Sequence, residues 1–360
     1  MIDSIKIILK NFSGNFDNCR LKPSRKVFKH PDEKEYENYL LPNHTKFDRH
    51  SMKVHRALKT GTVNVVGSLR KRAYHKSTLL DLNKDKFVQS LRGLAKDLNI
   101  PFAELKQARF TDCEIGANIN IRYPAKEVLY MIVAYSRLKR NNERIEDGTL
   151  YFEGADKDLK LYVKDDEIAA KSSPKKQESR KRAFARLKEC GNHMLRIEFT
   201  LKYQRSFNHH GMAHIKTVGD LIEHYYDLYA FWTREVARLI FFNQLDYSNA
   251  KLNGKEAYIA HGLEQYGFEW FAEEYQKLCK INAKTANSIK SARSEAYRAI
   301  CKVLDQYYDR KAYNMYNLRA DIAKYLIRKS KSEEMDETSP AGLGRCVRIA
   351  GDSLLGAQSA

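Results

Sequence analysis

Two spacings of hydrophobic residues run along this chain, one of two and one near 3.6, and the change from the first to the second falls close to residue 210. At the start, Met1-Ile2-Asp3-Ser4-Ile5-Lys6-Ile7-Ile8-Leu9 is rich in β-branched residues and reads as a strand. Asp3 shares a side with Ile5, Ile7 and Leu9, an acid at the lip of a buried face that is either a strand-end residue in water, the favoured reading, or a ligand reaching into a site. Residues 14–52 are polar and irregular, with Pro23, Pro31 and Pro42, and read as loops and short pieces. Gly61–Leu69 reads as a second strand. From Phe110 to Asn120 the odd positions are Thr, Cys, Ile, Ala and Ile, against mostly polar even ones that include Asp112, Glu114 and Asn118. Leu159-Lys160-Leu161-Tyr162-Val163-Lys164 alternates in the same way, as does Leu195–Tyr203 with Arg196, Glu198, Thr200 and Lys202 at its even positions. Helical spacing is expected over Asp85–Leu98, in a short turn after Pro101, and from Pro124 to a basic end at Arg140. Thr149–Glu153 leads through a turn at Gly154–Asp158 into the tyrosine strand.

Beyond His209-His210-Gly211 the spacing is helical: a wide stripe over Thr217–Leu245, then Glu256–Gln265, Phe268–Leu278, Thr285–Tyr308 and Tyr313–Ile327. The expected fold is α+β, an antiparallel sheet with helices on one face followed by an all-α domain. The expected limits are 1–212 for the first domain, 213–329 for the helical one and 330–360 for a tail with little to bury. If the alternating strands share a sheet, one face is core. The open face then collects Glu114, Glu198, Tyr162 and several cations, a surface suited to phosphate chemistry. A surface tyrosine is the plainer reading, since the chain has 22 tyrosines.

Charge narrows the choice of partner. The 64 Lys and Arg against 45 Asp and Glu give a net charge of +19, which suits a polyanion, nucleic acid before a membrane surface. No apolar run approaches the roughly 20 residues of a membrane span, and the start lacks the form of a signal peptide, so a cytoplasmic protein is expected. Basic clusters stand at Arg70, Lys71, Arg72, His75 and Lys76, and in a loop over 171–189 that holds eight Lys/Arg, among them Arg180, Lys181 and Arg182, against two acids. Leu263–Ile300 has the proportions of a helix-turn-helix whose second helix carries Lys290, Arg293 and Arg298; basic surface helices of a bundle look the same. There is no Gly-rich phosphate loop and no His-x-His pair; His214 and its neighbours read as loop residues, and the six cysteines show no zinc or disulfide spacing.

In their order, these segments resemble the rolling-circle replication initiators of filamentous phages and, more distantly, the Rep-trans initiators of plasmids. The likeness rests on Met1-Ile2-Asp3, on Thr111-Asp112-Cys113-Glu114, on the strand Leu159–Lys164 and on Leu195-Arg196-Ile197-Glu198. Glu114 stands where the family usually has Asp, Asn118 where the plasmid proteins have a second acid, and Glu167 fits a later acid. The resemblance implies a DNA nicking and strand-transfer enzyme. Tyr162 would attack one strand, leaving a 5′-phosphotyrosyl link and a free 3′-hydroxyl, with Lys164 on the phosphate or leaving oxygen. Asp3, Glu114 and Glu198 would hold Mg²⁺ or Mn²⁺, and Lys160, Arg196 and the basic clusters would meet DNA. Implied partners are single-stranded and duplex origin DNA and a host helicase and polymerase, with a homodimer left open. Tyr151 is the rival nucleophile; Tyr203 has the parity of buried residues, and Tyr123 lies beyond the acidic cluster. Without the resemblance, Glu114 and Glu198 read equally well as cross-strand partners of Arg196 or Lys160. Two other classes fit, a DNA-binding replication or partition protein without chemistry and a mobilisation relaxase.

Overall fold

The computed structural model describes residues 1–14, 16, 22–23, 36–41, 52–74, 80–121, 123–136, 138–170, 174–189, 193–242, 245–246 and 251–307. His75, Lys76, the helix expected over 313–327 and the tail from 330 lie outside these residues. Two units emerge, Met1–Ala117 with Thr200–Thr233, and Asn118–Phe199 with the described part of Arg234–Ile322. Each is thus assembled from separate stretches of chain.

In the first unit, β1 (Ser4–Leu9) buries Ile5, Ile7 and Leu9 as its alternation dictates. With β2 (Lys22–Pro23), β3 (Tyr36–Leu41), β4 (Met52–Ala57), β5 (Val63–Ser68) and a short β6 (Arg109–Thr111) it forms an antiparallel sheet in the order β2-β3-β4-β5-β1-β6. β3 falls where loops were expected: Tyr36-Glu37-Asn38-Tyr39-Leu40-Leu41 has no clean alternation and is held by its neighbour, with Tyr39 opposite Val54 and Leu41 opposite Met52. Helix α1 (Leu69–Tyr74) follows β5 at once, and α2 (Lys84–Asp97) buries Phe87, Leu91, Leu94 and Ala95 behind an Asn83 side chain that accepts the Lys86 N–H. Pro101 caps α3 (Phe102–Gln107).

The alternating stretch 110–120 is two strands. Asp112 takes a φ of 48°, a left-handed backbone that Asp tolerates better than most residues. The chain turns there from β6, paired to β1, into β7 (Cys113–Ile121) of a second sheet. Next come α4 (Ala125–Met131), β8 (Ile132–Tyr135), β9 (Lys139–Asn141), β10 (Thr149–Glu153), β11 (Lys157–Val163), α5 (Lys164–Ala170), α6 (Pro174–Glu189) and β12 (His193–Leu201). The second sheet runs β7-β12-β11-β10-β9. α6 replaces the loop expected over 171–189; Pro174 opens it, and its Lys, Arg, Gln, Glu and Ala are good helix formers that leave almost no apolar stripe to announce it.

The remaining elements are α7 (Gln204–His209), α8 (Val218–Glu223), α9 (Asp227–Val236), β13 (Leu239–Phe241), α10 (Gly254–Tyr266), α11 (Phe268–Lys280) and α12 (Ala286–Tyr307). The C-terminal part is helical apart from β13, which pairs antiparallel with β8, Leu239 opposite Tyr135 and Ile240 opposite Ala134. The helix expected to reach Arg140 therefore stops at Met131, and the stripe over 217–245 breaks into two helices and a strand. Both strands are buried along their length, so neither shows the alternation that separates strand from helix. Beside them Glu235, fully buried, accepts hydrogen bonds from Tyr135 Oη and Lys157 Nζ, each at 2.5 Å, and pairs with Arg238 at 3.0 Å. Burial, then Glu235, pushes the Tyr135 hydroxyl far above its ordinary pKa, while burial draws the Lys157 ammonium down against the pull of Glu235.

In the second unit, Val133, Ala134 and Ile240 join Ile259, Leu263, Phe271, Tyr275, Ala296, Ile300 and Val303 of α10–α12 in one apolar cluster. Gly267, at φ 75°, closes α10 and opens α11. Gly262 lies mid-helix, and a methyl there would run into the ring of Phe271, which is itself packed against Tyr258 and Tyr275. Gly262→Ala gains about 1 kcal/mol of helix propensity but costs about 1–3 kcal/mol of overpacking. A net loss of stability in chemical denaturation is the expected result.

Candidate active site on the tyrosine strand

β11 places Lys160 and Tyr162 on the side opposite Leu159 and Leu161, as its alternation predicts, but that side is not open. Tyr162 is 6% exposed and Lys164, at the first turn of α5, 1%. Placing these polar side chains out of water requires partners, and they supply one another. The Tyr162 hydroxyl lies 3.3 Å from Glu198 Oε1 and 3.3 Å from Lys164 Nζ, donating to the carboxylate and accepting from the ammonium. Lys164 also pairs with Glu167 at 2.5 Å, three residues on in α5. The ammonium groups of Lys160 and Lys164 stand 4.5 and 5.1 Å from the centre of the Tyr162 ring, in cation–π range. Glu198 on β12 is held by Arg196 Nε of its own strand, and Arg196 Nη1 reaches Asn118 Oδ1 of β7 at 3.0 Å. A polar row thus crosses β7, β12 and β11. The ion pair to Arg196 weighed as the plain reading of Glu198 is present, but within β12 rather than across strands, and the bond of Glu198 that crosses strands is the one from Tyr162. Tyr151 sits directly opposite Lys160, whose ammonium is 5.7 Å from its ring, so it shares the face.

The other two carboxylates lie in the first unit. Ile2 bridges Ile115 antiparallel and the Asp3 N–H donates to the Glu114 carbonyl at 2.9 Å, so Asp3 and Glu114 face one another across a strand pair, Cβ atoms about 5 Å apart. Asp3 is buried, not in water as its position suggested, because Arg70 Nη2 pairs with it at 2.7 Å and Ser68 Oγ donates to its other oxygen. Glu114 is half-buried. Ser68, the last residue of β5, was not among the expected site residues; its place opposite Ser4 at the strand end is the signal that brings it there.

The expected DNA contacts divide by exposure. Arg70, Arg72 and Arg196 are turned inward onto Asp3, Asp97 and Glu198. Lys71 is half-buried, Lys160 covers the two tyrosine rings, and Lys181 and Arg182 are exposed on α6; the Arg180 side chain lies outside the described residues. α6 is anchored near its end by Lys188, which pairs with Asp165 at 3.2 Å and Asp166 at 2.7 Å in α5. Burial raises the pKa of Asp165 above the ordinary carboxylate value, with Lys188 pulling it back. In the second unit Lys290, Arg293 and Arg298 are exposed on α12, the helix whose Ala296 and Ile300 enter the apolar cluster.

A polar row centred on a phenol, on an antiparallel sheet with a strongly basic helix in the same unit, defines the candidate site of an α+β protein. Residues 64–221, less than half of the 360, match the Phage_CRI family model, which describes the N-terminal region of a replication-associated protein. That segment holds Glu114, Tyr162, Lys164 and Glu198, and over it the resemblance to the initiators of filamentous phages is borne out; the match does not extend to the Rep-trans plasmid proteins. No curated protein and no solved structure matches the chain. No helix among the described residues is long and apolar enough to cross a membrane.

The buried guanidinium yields a test of the row itself. Arg196→Met leaves Glu198 buried with one cation fewer and is expected to cost about 3–5 kcal/mol in chemical denaturation. A loss below about 1 kcal/mol would mean that Glu198 is not held as described.

Proposed function

We propose that the chain initiates rolling-circle replication by nicking one DNA strand through Tyr162. The observation that carries this reading is the Tyr162 hydroxyl, set between a carboxylate and an ammonium, both at 3.3 Å, within the segment that matches a replication family. A phenol of pKa about 10 is a weak nucleophile at neutral pH and needs a proton acceptor and a nearby cation. Glu198 takes the proton and Lys164 stabilises the oxyanion. The phenolate oxygen attacks the scissile phosphorus, the P–O3′ bond breaks, and the released O3′ takes a proton from water. The products are a 5′-phosphotyrosyl link and a free 3′-hydroxyl for a host polymerase; the reverse attack by a 3′-hydroxyl rejoins the strand. Lys164 exchanges its partner Glu167 for the incoming phosphate, which is how so covered a phenol is reached.

Asp3 and Glu114 are hard oxygen donors of the type that takes Mg²⁺ or Mn²⁺ rather than a softer metal, and to serve an ion Asp3 would give up its bonds to Arg70 and Ser68. An ion of this kind would supply charge neutralisation to a phosphate it meets. Glu198, expected as a further metal ligand, is in this reading used on the phenol. Lys181 and Arg182 on α6 track the phosphate backbone, and Lys290, Arg293 and Arg298 on α12 set the register on the origin duplex.

One observation favours a second reading: a tyrosine this buried is also what a DNA-binding protein without chemistry would use as a structural anchor. Tyr162→Phe separates the two. It should fold and bind single-stranded DNA of its replicon with little change, while strand cleavage and the covalent protein–DNA adduct disappear. An adduct that persists in this variant, or wild-type protein that never forms one, would sink the nucleophile assignment. Neutralising Lys181 and Arg182 together should flatten the salt dependence of single-strand affinity by about 1.4 in log–log slope. An unchanged slope would move the phosphate track off α6.

A further inference from the structure

His214 was read from the sequence as a loop residue, yet in the first unit it is one of three side chains that converge. His214 Nε2 lies 2.8 Å from Asp227 Oδ2, and His224 Nδ1 lies 3.5 Å from the same oxygen. The imidazoles meet edge to face, 4.4 Å between ring centres, and the three ligand atoms lie within 4.8 Å of one another. In a tetrahedral zinc site with bonds of about 2.0–2.2 Å, ligand atoms are roughly 3.3 Å apart. Little movement separates this cluster from that geometry.

The backbone beneath the three residues is already ordered. His214 stands between Met212 and Ile215, both buried, and the Ile215 carbonyl accepts from Gln204 Nε2 at 2.6 Å. His224 ends α8, whose start carries a reciprocal Thr217–Asp220 capping box, and its N–H donates to the Asp220 carbonyl at 2.8 Å. Asp227 opens α9, its N–H bonded to the His224 carbonyl at 3.1 Å. Between them Tyr225 is fully buried, its hydroxyl donating to the Leu82 carbonyl. Ligands on so fixed a frame lose little freedom when a metal binds.

We propose that His214, His224 and Asp227 bind one transition-metal ion of the zinc type, with water completing the shell. Two imidazoles and one carboxylate select Zn²⁺, Co²⁺ or Ni²⁺ over the hard ions that Asp3 and Glu114 suit. The bound ion clips the 212–216 segment to the α8–α9 connection and stabilises the first unit. None of the three residues takes part in the nicking reaction proposed above, so the two ideas stand or fall separately.

The test uses the full chain stripped of metal by a chelator. Zn²⁺ alone is titrated by calorimetry with thermal unfolding in parallel, and Co²⁺ serves as the spectroscopic probe. Wild type is expected to take up one equivalent of Zn²⁺ with a rise in Tm, and to give the visible bands of tetrahedral Co²⁺ without a thiolate charge-transfer band. His214→Gln and His224→Gln should each weaken Zn²⁺ by more than about tenfold. His214 is the more exposed residue, so its variant should keep the metal-free Tm and circular dichroism spectrum of wild type, which separates a lost ligand from a lost fold. Equal Zn²⁺ affinity in wild type and both variants, no uptake by wild type, or a thiolate band from the cysteines would overturn the proposal.

Discussion

Charge that has been taken out of water must be answered inside the protein, and in the second unit this requirement governs the sheet that carries Tyr162. Arg196 is fully buried and Lys164 nearly so, and an unanswered buried ion costs several kcal/mol. Asn118, Arg196, Glu198, Tyr162, Lys164 and Glu167 meet the requirement as one run of contacts through β7, β12, β11 and α5. A one-residue slip of β12 would carry Ile197 and Phe199 into that run and drive Arg196 and Glu198 into the apolar side. Strand register is therefore set by charge as well as by hydrophobic burial, and the phenol is positioned by the same contacts that hold the strands.

The same rule operates elsewhere among the described residues, in two cases between residues especially far apart in the chain. Asp3 is neutralised by Arg70, 67 residues away, and Glu235 by Lys157, 78 residues away. Each pair joins a strand to an element reached only after a long excursion. Such ion pairs are weak sources of net stability against an apolar alternative, yet losing one partner is expensive. They act as conditions on the topology: a chain that misplaces the partner leaves a bare charge in the core.

Much of this was legible in advance. Alternation located β7, β11 and β12 and put Tyr162 and Lys160 on one side of their strand, β-branched and other strand-like stretches located β1, β5 and β10, and helical spacing located α2, α10, α11 and α12. What alternation cannot tell is whether the polar side of a strand faces water. Tyr162 and Lys164 are polar and yet covered, because burial on that side is satisfied by hydrogen bonds rather than by apolar residues. Asp112 was read as one polar position among several in a single strand, since a positive φ leaves no mark on a hydrophobic pattern. The basic stretch 171–189 looked like a loop for the opposite reason: α6 has almost no apolar stripe, and its helix shows only in residue propensities. His214, His224 and Asp227 were illegible as a group because the turn between α8 and α9 sets their spacing, and no local period reports it.

The strand pair β8–β13 bears on whether the chain can be divided at all. Its hydrophobic rhythm changes near residue 210, which invites cutting there to obtain a smaller catalytic piece. Such a fragment would keep Ile132, Val133 and Ala134 in a strand whose partner, Leu239–Phe241, has been removed, exposing an apolar edge open to self-association. It would also keep Lys157 and Tyr135 while discarding Glu235, the acid that answers both. Solubility of a truncated protein would then turn on three residues of a strand lying beyond the cut, and the visible boundary in the sequence is a poor guide to where this molecule comes apart.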